Sequence, residues 1–269
     1  MHKFKCKHIY FDVGTNTGVQ IRKLFEPQLY ATDPMAATTR KVYSSLFGTE
    51  PHCSTCAIGF DPNPRHYDSL IKLQASLRKA GAGVLIFHAA ASDVDGISHL
   101  ALKKSGRTSE DLGATLSDTW QGMGHAGSAR SALTRVRSVD LARIIHAVRG
   151  RQTVRGRMLA KMDIEGSELQ VLPHLVRSQA LCTLDAVRIE WHSRYWARAV
   201  SEQAARLKKL PMDSVGAKAI EYNAQVLQQL LEREFKRNSS DCKVRIIEAD
   251  DESFSRSHLA LTDRCDMRS

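Results

Sequence analysis

Short apolar runs ending in acids punctuate this chain, and amphipathic segments follow them. Ile9-Tyr10-Phe11 leads into Asp12, a glycine-rich turn, and the amphipathic stretch Thr17 to Phe25. That is the order strand, tight turn, helix, which opens an α/β ligand-binding unit. Cys56 to Pro64 (CAIGFDPNP) is a second strand ending in Asp61, and His66 to Ala80 carries Leu70, Leu73 and Leu77 at helical spacing. Residues 84–91 (VLIFHAAA) read as a third strand, followed by the turn residues Ser92-Asp93-Val94-Asp95-Gly96 and a short extended run, ISHLAL. Val136 to Val148 gives a strand-like entry and an amphipathic helix. Residues 157–166 (RMLAKMDIEG) form a fourth strand ending in Asp163 and Glu165. Ser167 to Val176 is helical, with Leu169, Leu172 and Val176 on one face and Pro173 expected either to kink its last turn or to lie near its end. Residues 183–192 (TLDAVRIEWH) form a fifth strand ending in Glu190 and His192.

Beyond them, Ile220, Ala224, Leu227 and Leu231 predict a long helix over about 216–236. Residues 243–249 and 258–263 read as two closing strands too near each other for a helical crossover, hence an antiparallel pair. The sum is an α/β fold with a mostly parallel seven-stranded sheet, one antiparallel C-terminal strand and helices on both faces. No internal repeat or linker divides the 269 residues, so a single domain with its core over about 8–263 is expected. Two segments interrupt this pattern: an insertion over 26–55, rich in Pro, Gly, Thr and Ser, and a Gly/Ser/Thr-rich loop over 105–130 without periodicity, expected to be mobile.

The turn after the first strand narrows the ligand. A dinucleotide fingerprint places glycine in the middle of the turn so that backbone can approach a pyrophosphate. Here the turn is Gly14-Thr15-Asn16-Thr17-Gly18, with a side chain in the middle and Asp12 just before it. A carboxylate there repels phosphate and suits a cationic amine or sulfonium, while the helix start beyond Thr17 suits a carboxylate. S-adenosylmethionine has that combination. Open parallel sheets bind ligands at the carboxyl ends of their strands, and those ends carry Asp12, Asp61, Ser92 with Asp93, Asp163 with Glu165, and Glu190 with His192.

Together, Asp12-Val-Gly14-Thr-Asn16-Thr-Gly18, Gly59-Phe-Asp61-Pro-Asn63-Pro64, Ala89-Ala-Ala-Ser92-Asp93 and Lys161-Met-Asp163-Ile-Glu165-Gly166-Ser-Glu168 resemble the FkbM family of methyltransferases. The likeness is to its eukaryotic branch in particular, which has a long insertion before the second strand. Gly113-Ala-Thr115, the run ending at His192, and Asp250-Asp251-Glu252-Ser253-Phe254 are similar to that branch too. The resemblance implies a Rossmann-like class I fold, S-adenosylmethionine as donor, and transfer to oxygen of a carbohydrate or small-molecule acceptor. By that resemblance Gly14, Asn16 and Gly18, with Thr15 between them, line the methionine end, and Asp12 lies near its amine. Asp61 takes the ribose hydroxyls, and Ser92 and Asp93 meet the adenine edge. Asn63 is either a ligand or a turn residue between two prolines. Asp61 lies much farther from the glycine turn than the usual ~20 residues; the 26–55 insertion accounts for the distance and is a candidate to shape the acceptor pocket.

For catalysis, methyl transfer needs alignment and a base. The preferred assignment has Asp163 orienting the acceptor hydroxyl and His192 or Glu190 taking its proton. Glu168 is read as an acid favoured by the helix dipole. The acids with His192 are also of the type that holds a divalent metal; the metal-free reading is preferred. Trp191, Tyr195 and Trp196 are candidates either for stacking on the ligand or for covering the sheet edge.

Composition adds limits. The net charge is +10, and much of it lies between Arg130 and Lys161, where nine cations meet one acid, Asp140. Arg149 to Arg157 precede the fourth strand and so fall at the amino ends of the strands, away from the site. Arg130, Arg135 and Arg137 fall nearer the ligand side and suit an anionic acceptor. An RNA 2′-O-methyltransferase is the rival enzyme. It needs a second lysine beyond Lys161 that cannot be assigned, and no interleaved aromatic and basic motif for RNA is present. A non-catalytic cofactor-binding scaffold is the third reading. Cys6, Cys53, Cys56, Cys182, Cys242 and Cys265 are too few and scattered for a disulfide scaffold, and Cys53-x-x-Cys56 lacks a second pair for zinc. No run is long enough to span a membrane and no secretory pattern precedes His8. A soluble, cytoplasmic protein is therefore expected unless an anchor lies upstream.

Overall fold

The computed structural model describes residues 6–49, 51–103, 115–116, 131–152, 154–192 and 242–248, with single helical positions at 229 and 233. Among them the elements run β1 (His8–Val13), α1 (Val19–Phe25), α2 (Pro34–Phe47), α3 (Pro51–Ser54), β2 (Thr55–Phe60), α4 (Tyr67–Lys79), β3 (Gly83–Phe87) and β4 (Ala90–Ser92). Then come β5 (Gly96–Lys103), β6 (Thr115–Leu116), β7 (Ser131–Asp140), α5 (Leu141–Arg149), β8 (Met158–Met162), α6 (Glu168–Arg177), β9 (Ala186–Ile189) and β10 (Arg245–Glu248).

Six strands form one sheet in the order β10-β9-β8-β1-β2-β3, and every pairing in it is parallel. The protein is α/β and Rossmann-like. β1 is central because all six of its residues are apolar enough, or well enough bonded, to be buried on both faces. Ile9, Phe11 and Val13 pack with Leu141 and Ile145 of α5 and Val171, Leu172 and Leu175 of α6. On the other face Tyr10 packs with Ile21 and Leu24 of α1, Tyr43 and Phe47 of α2, and Leu70, Leu73 and Leu77 of α4. The chain leaves β1 toward β2 and β3 and later returns on the other side through β8, so the strand order reverses between β1 and β8. A crevice opens at such a reversal.

Several expectations need correction. The 84–91 run is not one strand. It divides around His88 into β3, in the main sheet, and β4, in a second sheet of order β4-β7-β5-β6. β4 pairs parallel to β7, and β5 pairs antiparallel to β7 and β6. Continuous hydrophobicity cannot show where a buried run changes sheets, because both halves are equally buried. β10 pairs directly with β9 in parallel register, Ile246 opposite Val187. The antiparallel partner expected at 258–263 lies outside the described residues, as do most of the 216–236 helix and 105–130 loop, Tyr195, Trp196 and the 250–254 run. On α6 the buried face is Glu168, Val171, Leu172 and Leu175, not the Leu169, Leu172, Val176 stripe, and the helix runs through Pro173 to Arg177.

The 26–55 insertion is structured. A 3-10 turn at Pro27–Tyr30 leads into α2 and α3. These cover α1 so fully that all seven of its residues are buried. The charges trapped there are paired: Arg22 Nε donates to Glu26 Oε2 at 2.7 Å, and Lys23 Nζ lies 5.9 Å from the centre of the Tyr30 ring.

The cysteines are also corrected. Cys6 bridges Cys56, and Cys182 bridges Cys242, with Cα–Cα separations of 5.6 and 4.6 Å. The bridges staple the amino ends of β1 to β2 and of β9 to β10. Gly83 makes room for the first, since a Cβ there would meet Cys56 Sγ at 2.3 Å. Cys56 therefore is not half of a C-x-x-C unit. Sequence spacing hid the pairing because the bridges span 50 and 60 residues. Among the described residues no helix is long and apolar enough to cross a membrane.

Bridges over separations this long each contribute about 4 kcal/mol in the chain-entropy account. Reducing both should lower Tm by on the order of 20 °C, and non-reducing peptide mapping should recover the two linked pairs. An unchanged melting curve in reductant would contradict the bridges.

Candidate active site

The crevice at the β1/β8 reversal is a cleft lined by Gly14 and Asn16 from the first turn, Asp61 and His66 after β2, Ala90 and Ala91 of β4, and Asp163, Glu165 and Ser167 after β8. Leu100 of β5 and Leu116 of β6 close one side, so the second sheet forms an apolar wall. Three carboxylates reach the cleft, and no lysine or arginine among the described residues does.

Two contacts build the first turn. Gly14 (φ +87°) lies so close to β8 that a Cβ would sit 1.8 Å from the Asp163 carbonyl oxygen. Gly18 (φ +89°) packs on α4, where a Cβ would meet Leu73 Cδ2 at 2.2 Å. Thr15 clamps the turn from inside. Its Oγ1 donates to the Asp12 carbonyl at 2.8 Å and accepts from Phe60 N at 2.9 Å. Gly14 and Asn16 therefore line the cleft, whereas Thr15 and Gly18 shape the turn beneath it.

Asp61 is held from three directions. Asn16 N donates to Oδ2 at 2.8 Å, Asn63 N donates to Oδ1 at 2.9 Å, and His66 Nδ1 lies 3.1 Å from Oδ1. Asn16 reaches it through a left-handed backbone (φ 52°), uncommon for a non-glycine residue. Asn63 both lines the cleft and caps the next 3-10 turn, its Oδ1 accepting from Arg65 N at 3.1 Å. Ser92 and Asp93 follow the lining residues but turn away from the cleft: Ser92 Oγ donates to Asp93 Oδ1 at 3.2 Å, and Gln170 Nε2 donates to the same oxygen.

Asp12 is fully buried beneath the turn, not in the cleft wall. Tyr10 Oη donates to its Oδ1 at 3.0 Å, and Oδ2 has no hydrogen-bond partner among the described residues. Desolvation raises its pKa to about 6, against the opposing pull of Lys161. Lys161 is the hub of this floor. Its Nζ donates to Asp163 Oδ2 at 2.7 Å and to the Gly14 carbonyl at 3.2 Å. Burial works against its charge, but Asp163, Asp12 and Glu190 more than reverse that and raise its pKa. Burial likewise would raise the Asp163 pKa; Lys161 overcomes this and lowers it.

His192 is nearly fully buried behind Asp163 and Glu165. Its Nδ1 lies 2.8 Å from Glu168 Oε1, and Nε2 lies 3.6 Å from each of Asp163 Oδ1, Glu165 Oε2 and Glu190 Oε1. Burial alone would lower its pKa, but Glu168 and the surrounding acids push it up to about 11. Glu190 and His192 back the cleft without lining it.

Residues 12–251 match the methyltransferase FkbM domain. The chain belongs to the FkbM family. No curated protein and no solved structure matches it. In this FkbM methyltransferase, sequence reading missed His66, whose signal was its place five residues after Asp61, and the central role of Lys161. It also assigned Glu168 to the helix dipole alone, although the side chain orients His192. Leu100 and Leu116 carried no signal, since their strands were not seen to form a sheet. Arg135 and Arg137 are exposed on β7 and do not line the cleft. Arg149, Arg155 and Arg157 surround a separate cleft at the amino ends of the strands.

Gly14→Ala should be far more damaging than Gly18→Ala, because backbone oxygen opposes the first methyl and a flexible Leu73 tip the second. Thermal melts of the two variants test this, and equal losses would refute it. Asp12, with its pKa raised from 3.8 to about 6, favours folding while protonated, so its contribution declines as pH rises from about 4 to above 6. Asp12→Asn should flatten that part of the Tm–pH curve; an unaltered slope would contradict the assignment.

Proposed function

We propose that this FkbM methyltransferase transfers the methyl group of S-adenosylmethionine to a hydroxyl oxygen of a carbohydrate or other small acceptor. The observation that carries the reading is the cleft at the strand reversal, with three carboxylates and no lysine or arginine among its described lining residues. Such a lining repels a phosphate-bearing nucleotide and suits a ligand with a cationic centre. When bound, S-adenosylmethionine supplies a methyl group activated on a sulfonium.

The chain's own residues divide the remaining work. Asp61, already oriented by Asn16, Asn63 and His66, keeps one lone pair, on Oδ2, to accept from a ribose hydroxyl. Gly14 and Asn16 meet the methionine end, with Thr15 and Gly18 holding the turn and Asp12 acting from below through Lys161. The apolar wall of Ala90, Ala91, Leu100 and Leu116 suits the adenine ring, while Ser92 and Asp93, bonded to each other and to Gln170 of α6, secure the end of that wall instead of meeting the ring. Asp163 accepts a hydrogen bond from the acceptor hydroxyl and so orients it. Glu190 takes the proton, and His192 keeps the neighbouring carboxylates together.

The rival RNA reading loses support because no lysine lines the cleft among the described residues. The chain is read as one domain, since both sheets contribute to the same cleft. Its two disulfides favour an oxidising compartment over the cytoplasm.

Isothermal titration with S-adenosylmethionine should show saturable binding that Asp61→Asn weakens. A transfer screen over glycans, small hydroxylated molecules and RNA then identifies the acceptor class. Glu190→Gln should lower kcat by about 10²-fold with donor affinity unchanged. Binding without transfer to any acceptor would favour the scaffold reading, and salt-sensitive transfer to RNA the rival enzyme.

A further inference from the structure

We propose that Asp163, Glu165 and His192 form a binding site for one divalent cation of the manganese or zinc type, at the base of the cleft. The site is argued from its own geometry. Its role in methyl transfer, polarising the acceptor hydroxyl, rests on the reading above.

The three residues each present one ligand atom, and these atoms all lie within 4.8 Å of one another. Nε2 of His192 stands 3.6 Å from Asp163 Oδ1, Glu165 Oε2 and Glu190 Oε1. Ligands about 2.1 Å from a shared ion lie roughly 3.0 Å apart at octahedral and 3.4 Å at tetrahedral angles. The observed spacing therefore needs a contraction of only a few tenths of an ångström along these edges. Glu190 is placed to join as a fourth ligand or to receive a proton from an ion-bound hydroxyl.

Three further observations point the same way. The imidazole is aimed from behind: Glu168, fully buried on α6, accepts from Ile164 N at 3.1 Å and holds His192 Nδ1 at 2.8 Å. This leaves Nε2 facing the carboxylates, the arrangement that orients metal-bound histidines. Glu165 adopts a left-handed backbone (φ 55°), and a strained non-glycine residue persists where its surroundings impose that conformation. Charge gives the third. Asp12, Asp163, Glu165, Glu168 and Glu190 face Lys161, His192 and, from the side, Arg188, which bonds Thr39 Oγ1. Among the described residues that is five carboxylates against three cations in a largely dry floor, where acids this close need compensating charge.

One imidazole among carboxylates selects the ion class. An all-oxygen set would suit magnesium or calcium, whereas a nitrogen ligand favours manganese, zinc or iron. Asp163 and Glu165 line the cleft, so coordination positions not filled by protein would face the acceptor. When the ion binds, it takes the place of the proton on His192 Nε2, which leaves to solvent.

The test is titration of the chelator-treated full chain with manganese chloride and, separately, zinc chloride, with S-adenosylmethionine titrated in parallel. One ion should bind per chain. Glu165→Gln and Asp163→Asn should each weaken it about tenfold or more, and Glu168→Gln, which touches no ion, should weaken it by reorienting His192. Circular dichroism identifies any variant that fails to fold, and the wild-type titration stands by itself. If the wild type binds neither ion saturably, or if folded Glu165→Gln binds with unaltered affinity, the proposal is overturned and the buried histidine is an imidazolium paired with carboxylates. Donor binding without cation binding would refute the cation site and leave the methyltransferase reading intact; cation binding without donor binding would do the reverse.

Discussion

The buried ammonium of Lys161 joins the two halves of this fold. It lies where the strand order reverses, donating to the Gly14 carbonyl on one side and the Asp163 carboxylate on the other. A lysine in such a position needs anionic partners to keep its charge, and Asp163, Asp12 and Glu190 provide them. The close approach this allows is possible only because residue 14 has no side chain. The first turn and the end of β8 are thereby held against each other, and the cleft inherits its floor from that contact.

Negative charge dominates what is built above the lysine. Asp61 is oriented by backbone amides and His66, while Asp163, Glu165 and Glu190 surround one imidazole that Glu168 supports from behind. Acids this close in a dry region repel one another unless cations are supplied. The histidine and lysine supply such charge among the described residues, and the acid-rich lining suits cationic ligands. The same imbalance underlies both the donor reading and the proposed ion site. The strongly basic groove lies elsewhere, at the opposite ends of the strands, so the chain's overall positive charge does not describe its active face.

The insertion before β2 has a packing role. Its helices convert α1 from a surface helix into a buried one, enclosing the Arg22–Glu26 pair and Lys23. None of its described residues lines the cleft at the strand reversal. Two disulfides hold the strands' amino ends, leaving the carboxyl ends, where the ligand residues lie, to be fixed by hydrogen bonds and ion pairs.

Much of this was legible in order along the chain. Apolar runs ending in acids marked β1, β2, β8 and β9, and the family resemblance drawn from those same residues was sustained by the match over residues 12–251. Such signals are local: a buried parallel strand needs continuous apolar residues, and a ligand-facing strand end needs polar ones. What the sequence could not determine depended on separations of many residues. The split of the 84–91 run between two sheets, the parallel docking of β10 on β9, the bridges of Cys6 to Cys56 and Cys182 to Cys242, and the turning of Ser92 and Asp93 toward α6 all follow from which surfaces meet in space. Glu168 shows the distinction most clearly. Its position at a helix start already accounted for an acid, but only the folded chain brings His192, 24 residues away, within 2.8 Å of it.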